Sequence, residues 1–167
     1  MEGHPYFEAI SNSRMTRTII LTLALCIAGF ALCVADDAHM GTWKMKVAKS
    51  DLSSAAPRNH TVVYEVAGDK VKVTVNGTDS DGKPTCSEWT GKFDGKDYPV
   101  VGDPNSDAWS YTKIDDRILG FNFKRRGKRI ACGRIEVSSD GKSRTVTIAG
   151  IDSKGRKFIS TTVYNKQ

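Results

Sequence analysis

Between Asp36 and Gln167 the residues best suited to chemistry are few: two histidines, His39 and His60, and two cysteines, Cys86 and Cys132. Nucleophilic catalysis needs a base within hydrogen-bond reach of a Ser or Cys, and a third group to orient that base. His60 is the only internal base of this kind, and no Ser or Cys stands in a sharp-turn motif beside it. Glu65, Glu88 and Glu136 fall where each can face solvent, so they offer no inward pair of carboxylates for acid–base work. Gly77 to Lys83 (GTDSDGK) has the spacing of a phosphate loop, but Pro84 follows where Ser or Thr is required. Asp79 and Asp81 resemble the start of a calcium loop that then lacks its later ligands and its Glu. His39 is fourth, not third, from a terminus at Asp36, which removes an amino-terminal copper site. These residues predict a chain that is not an enzyme and carries no cofactor or metal.

Charge is the stronger signal. The net charge is +6, and Arg14 and Arg17 are balanced by Glu2 and Glu8, so the excess lies in residues 36–167. It peaks at Lys124, Arg125, Arg126, Lys128 and Arg129, with Arg134 and the Lys154–Lys157 tip as further cations. Such a basic tip suits an anionic membrane surface or a polyanion. It equally serves to keep a hairpin from aggregating. No aromatic residues interleave the cations, so nucleic acid is not an expected partner.

The elements that must position these residues follow from the turns. Gly68-Asp69, Asp79–Lys83, Asp94-Gly95, Asp115-Asp116, Arg126-Gly127, Asp140-Gly141 and Lys154-Gly155 recur at about one strand's spacing. Gly and Asp tolerate the positive φ that tight hairpins need. Between turns the apolar residues alternate: Val62, Tyr64 and Val66; Val71, Val73 and Val75; Leu119, Phe121 and Phe123; Val146 and Ile148. That period predicts half-buried antiparallel strands. The reading is all-β, an up-and-down meander of about eight to ten strands. An open sheet of that size leaves two sticky edges, whereas closing it into a barrel removes both. Only Ser50–Pro57 offers a turn of helix.

The amino-terminal stretch reads differently. Ile19 to Ala35 is nearly continuous apolar sequence behind Arg14 and Arg17, ending on Cys33-Val34-Ala35 before two Asp. This predicts a helical signal peptide over residues 1–35, of which 1–14 form a leader extension if Met15 is the true start. An uncleaved membrane anchor is the alternative. Residues 36–40 become a short tail and 41–167 one domain, exported to the periplasm or outside the cell and monomeric. In an oxidising compartment Cys86 and Cys132 either pair as one disulfide or remain two thiols.

Gly41-Thr42-Trp43-Lys44 resembles the G-x-W start of lipocalins and the G-T-W-K opening of fatty-acid-binding proteins. The stretch from Gly41 to Lys166 also resembles small exported bacterial lipocalin-like (calycin) domains. The resemblance implies a first strand opening on this motif, with Trp43 packed across a closed barrel end and Gly41 allowing close approach beneath it. Two departures stand out. Lys49–Asn59 is too short for the helical lid of fatty-acid-binding proteins, and Thr162-Val163-Tyr164 keeps only the Tyr of their carboxylate-holding R-x-Y. What the resemblance implies is an interior that binds a small hydrophobic or amphipathic molecule. Strand parity nominates Tyr64, Trp89, Phe93, Trp109, Tyr111, Phe121, Phe123 and Tyr164 as its lining, with Arg134 as partner for an anionic group. Whether that interior is hollow or filled by its own side chains stays open.

Overall fold

A computed structural model describes residues 37–54, 56–152 and 154–167. The expected signal peptide lies outside them. The described chain forms ten antiparallel strands: β1 Gly41–Met45, β2 Arg58–Ala67, β3 Lys70–Thr78, β4 Pro84–Gly91, β5 Tyr98–Val101, β6 Ala108–Asp115, β7 Ile118–Arg125, β8 Lys128–Val137, β9 Ser143–Ile151 and β10 Lys157–Lys166. Each strand pairs with the next in sequence, and β1 pairs with β10 through Trp43↔Lys166 and Met45↔Tyr164, so the sheet closes into a barrel. The predicted all-β meander and its closure are therefore observed. The helical turn expected at Ser50–Pro57 is displaced to a single 3-10 turn at Val47–Lys49. There Lys49 and Ser50 donate backbone bonds to Lys46 and Val47.

Alternation places one face of every long strand inside. Val73 and Val75 on β3, Leu119 and Phe121 on β7, Ile135 and Val137 on β8, and Tyr164 on β10 join Trp43 in one buried cluster. The turns hold this register by local chemistry. Arg126 and Gly127 both take positive φ (51° and 75°), the two-residue hairpin geometry whose twist suits its strands. Asp140 and Asp152 instead accept backbone N–H groups of their own turns, as at Lys142 and Lys154.

Odd and even connections fall at opposite ends of the barrel. One end carries the β1–β2, β3–β4, β5–β6, β7–β8 and β9–β10 connections, and the other carries the remaining turns with residues 37–40. The second end is sealed. Trp43 is fully buried, its indole N–H donates to the His39 carbonyl at 2.9 Å, and the Lys166 ammonium stands 5.4 Å over its ring. Gly41 has φ +102°, and a Cβ there would stand 3.1 Å from the Lys166 side chain. Only glycine suits both conditions.

The disulfide that the sequence left open is not formed. Cys86 and Cys132 are free thiols on β4 and β8, with β5, β6 and β7 between them. Each neighbours an inward residue, Ser87 and Ala131, so each points out of the barrel wall on its own side.

Candidate ligand-binding site

The barrel is hollow at its other end. A cavity of about 120 Å³ runs inward from the connections near Asp79, Asp103 and Asp152. Its wall is aliphatic and aromatic: Val62 and Tyr64 from β2, Trp109 and Tyr111 from β6, Phe121 and Phe123 from β7, Val146 and Ile148 from β9, Tyr164 from β10. Cavities of about 150 Å³ admit benzene, and drug-sized ligands need roughly 300 Å³ or more. This space therefore suits a compact molecule, not a long acyl chain.

The aromatic wall is built, not loosely filled. Trp109 and Phe123 stack at 4.7 Å between ring centroids, and Phe121 and Phe123 at 4.9 Å. The Trp109 indole N–H is anchored near the mouth by the Ser106 hydroxyl at 2.6 Å and the Asp103 carboxylate at 3.1 Å. The Ser106 hydroxyl itself donates to Asp103. That chain of bonds fixes one ring of the cavity wall from outside it.

At the sealed floor lies Arg144, on β9 opposite Tyr164. It is 2% exposed. The faces of Trp43, Tyr64 and Tyr164 surround the guanidinium at 4.8, 4.9 and 5.0 Å. Its Nε and Nη1 are buried without a hydrogen-bond partner, and among the described residues no carboxylate forms an ion pair with it. A guanidinium carries its charge into the interior and has only donors, no acceptor. The three aromatic faces offset part of the desolvation. They offer no acceptor for an N–H. The hydroxyls nearby stay protonated: burial pushes Tyr164 up to about 12, and burial together with Tyr64 beside it raises Tyr111 well above its usual range.

His39, outside the cavity wall, is the other residue among those described whose buried polar atoms lack a hydrogen-bond partner. Its ring is fully buried edge-on to Phe93 at 6.3 Å, with neither nitrogen hydrogen-bonded. Burial holds its pKa down at about 4.

Six of the expected lining residues meet in the cavity: Tyr64, Trp109, Tyr111, Phe121, Phe123 and Tyr164. Trp89 and Phe93 belong to the packing behind it. Their rings stack at 6.4 Å, and the Trp89 indole bonds the Trp109 carbonyl. The expected anion partner is corrected. Arg134 lies on the outer face, paired with Glu136 at 2.5 Å, because its neighbour Ile135 takes the inward position. The interior arginine is Arg144, which shares the parity of Val146 and Ile148, and that parity was its signal in the sequence.

The basic tip sits at the mouth end and is partly tied down. Lys124 pairs with Asp97 at 2.7 Å, the Arg125 guanidinium donates to the Pro104 carbonyl, and the Arg126 backbone N–H bonds Asp107. Lys128 and Arg129 are exposed.

No family model and no curated protein matches the chain. Among solved structures it is similar to a redesigned beta barrel, mFAP1, bound to DFHBI, at 17% identity over 77% of this chain and 95% of that one, with a TM-score of 0.43. It is also similar to EF1p2_mFAP2b bound to DFHBI, at 13% identity over 78% and 94%, with a TM-score of 0.44. At that level of likeness nothing about a ligand transfers to this chain.

Proposed function

We propose that this barrel binds a small amphipathic molecule in its interior and performs no chemistry on it. One observation carries the reading: the cavity opens at one end of the barrel, is walled by aromatic and aliphatic side chains, and ends on a buried polar group. A few convergent polar groups in an otherwise apolar pocket are the usual plan of a small-molecule site. Export is part of the proposal and rests on the sequence of residues 1–35. The mass of the chain recovered outside the cytoplasm should begin at Asp36.

The test uses benzyl alcohol, a neutral amphipathic probe sized to the cavity. It should change the fluorescence of the wild-type tryptophans saturably and raise the Tm. Val146→Trp, which fills the cavity from β9, should abolish both effects while the far-ultraviolet spectrum of the barrel persists. If neither benzyl alcohol nor any other single-ring probe binds at millimolar concentration, the reading is overturned.

A further inference from the structure

We infer that the ligand is a compact organic anion, a single-ring or short-chain carboxylate or a molecule of equivalent charge, with its anionic group seated on Arg144. The inference rests on the proposed interior site and specifies what that site selects.

Three observations converge on it. The first is the orphaned cation: a guanidinium 2% exposed, with two buried nitrogens lacking acceptors, at the floor of a cavity reached from solvent. Removing a charge from water costs several kcal/mol unless an opposite charge and hydrogen bonds replace the lost solvation. The surrounding rings supply only their faces, so the N–H groups still await an oxygen. A neutral ligand satisfies a donor; an anion satisfies the donor and the charge, with bonds about twice as strong.

The second is size. About 120 Å³, somewhat less than the space that takes benzene, limits the occupant to one small ring or a short chain. The third is the field at the entrance. The mouth-end turns over residues 79–83, 102–107, 125–129 and 152–157 hold eight Lys and Arg against five Asp. The sealed end, residues 37–40, 66–70, 92–94, 113–117, 138–142 and 165–167, holds six of each. The basic excess thus surrounds the entrance that leads to Arg144. Such a distribution draws anions toward a cleft and raises their association rate.

The experiment compares benzoate with benzyl alcohol, which share a ring and differ in charge, by calorimetric titration of the full domain at pH 7. Benzoate should bind at least tenfold more tightly than benzyl alcohol. Arg144→Met should reduce benzoate affinity to that of benzyl alcohol or below, a loss at least tenfold larger than the one it imposes on benzyl alcohol. Arg144→Lys keeps the charge, so it should retain a preference for benzoate even if the methionine variant does not fold. Raising the salt should slow benzoate association and leave benzyl alcohol unaffected. Benzyl alcohol bound as tightly as benzoate in the wild type overturns the anion assignment while leaving the cavity reading standing. Failure of both probes removes the cavity reading itself.

Discussion

Arg144 sets stability against function at a single residue. It is a buried charge without an ionic partner among the described residues, and replacing such groups by apolar side chains of similar size is often stabilising by about 1–4 kcal/mol. Arg144→Met should therefore raise the Tm of the ligand-free domain, and a thermal scan reads this directly. A fall of several degrees would mean that its contacts with Trp43, Tyr64 and Tyr164 outweigh its desolvation. His39 makes the complementary case. Its folded pKa of about 4 lies below the ordinary 6.5, because burial disfavours the imidazolium. Between pH 6.5 and 4 the unfolded chain therefore takes up a proton that the folded chain refuses. Stability is full above that window, falls as the pH drops through it and levels off below, by about 3 kcal/mol at 1.36 kcal/mol per pKa unit. His39→Leu should flatten this slope in denaturant titrations between pH 7 and 4. An unchanged slope would show that the ring meets solvent. At this scale the sequence was only partly legible. Tyr64 and Tyr164 could be placed inside by alternation alone, yet the alternation of Val146 and Ile148 was not carried back to Arg144, and Arg134 was nominated instead. The alternation of Ile135 and Val137 with Arg134 and Glu136 held the correction, since inward and outward positions on a strand are strictly exclusive.

Among the elements, β8 and β9 approach each other closely where the cavity wall makes room for a ring. A Cβ on Gly133 would stand 2.1 Å from the Thr147 carbonyl oxygen and 2.4 Å from Phe121 Cζ, so that glycine lets Phe121 lie flat against the strand. Gly133→Ala should destabilise the domain by about 1–3 kcal/mol, the usual cost of overpacking. Gly120→Ala on the neighbouring β7 should be nearly neutral, because the nearest atom to its added Cβ is the mobile Ile114 Cδ1 at 3.4 Å. Equal losses for the two in urea denaturation would contradict this account of the wall. Strands and turns were readable because hairpin chemistry and period-two alternation are local. Gly133 was not, since its neighbour Thr147 lies on the next strand and Phe121 on the previous one. The same limit explains Cys86 and Cys132: spacing along the chain carries no distance across a barrel.

The barrel as a whole is continuous in topology but uneven in strength. β2 with β3, and β9 with β10, each share nine registered pairs, whereas β5 shares two with β4 and two with β6. One of the β5 residues so paired is Pro99, which has no N–H to give, and Val101 is exposed at 74%. What bridges this weak stave is a side chain: the Trp89 indole reaches past β5 to the Trp109 carbonyl at 3.0 Å, joining β4 to β6 directly. Local opening draws on regions with few buried contacts and few protected hydrogen bonds, so the barrel should open here first. Hydrogen exchange should then be fastest, among the strands, in peptides covering Tyr98–Val101, and slowest in β2, β3, β9 and β10. Trp89→Phe keeps most of the buried ring and removes only the indole donor. It should speed exchange from Tyr98 through Trp109 while leaving β9 and β10 at their wild-type rates. The β5–β6 connection holds Asp103 and Ser106, which anchor Trp109 at the cavity mouth, so opening of β5 should also loosen that anchor. Uniform protection across all ten strands would contradict the weakness assigned to β5.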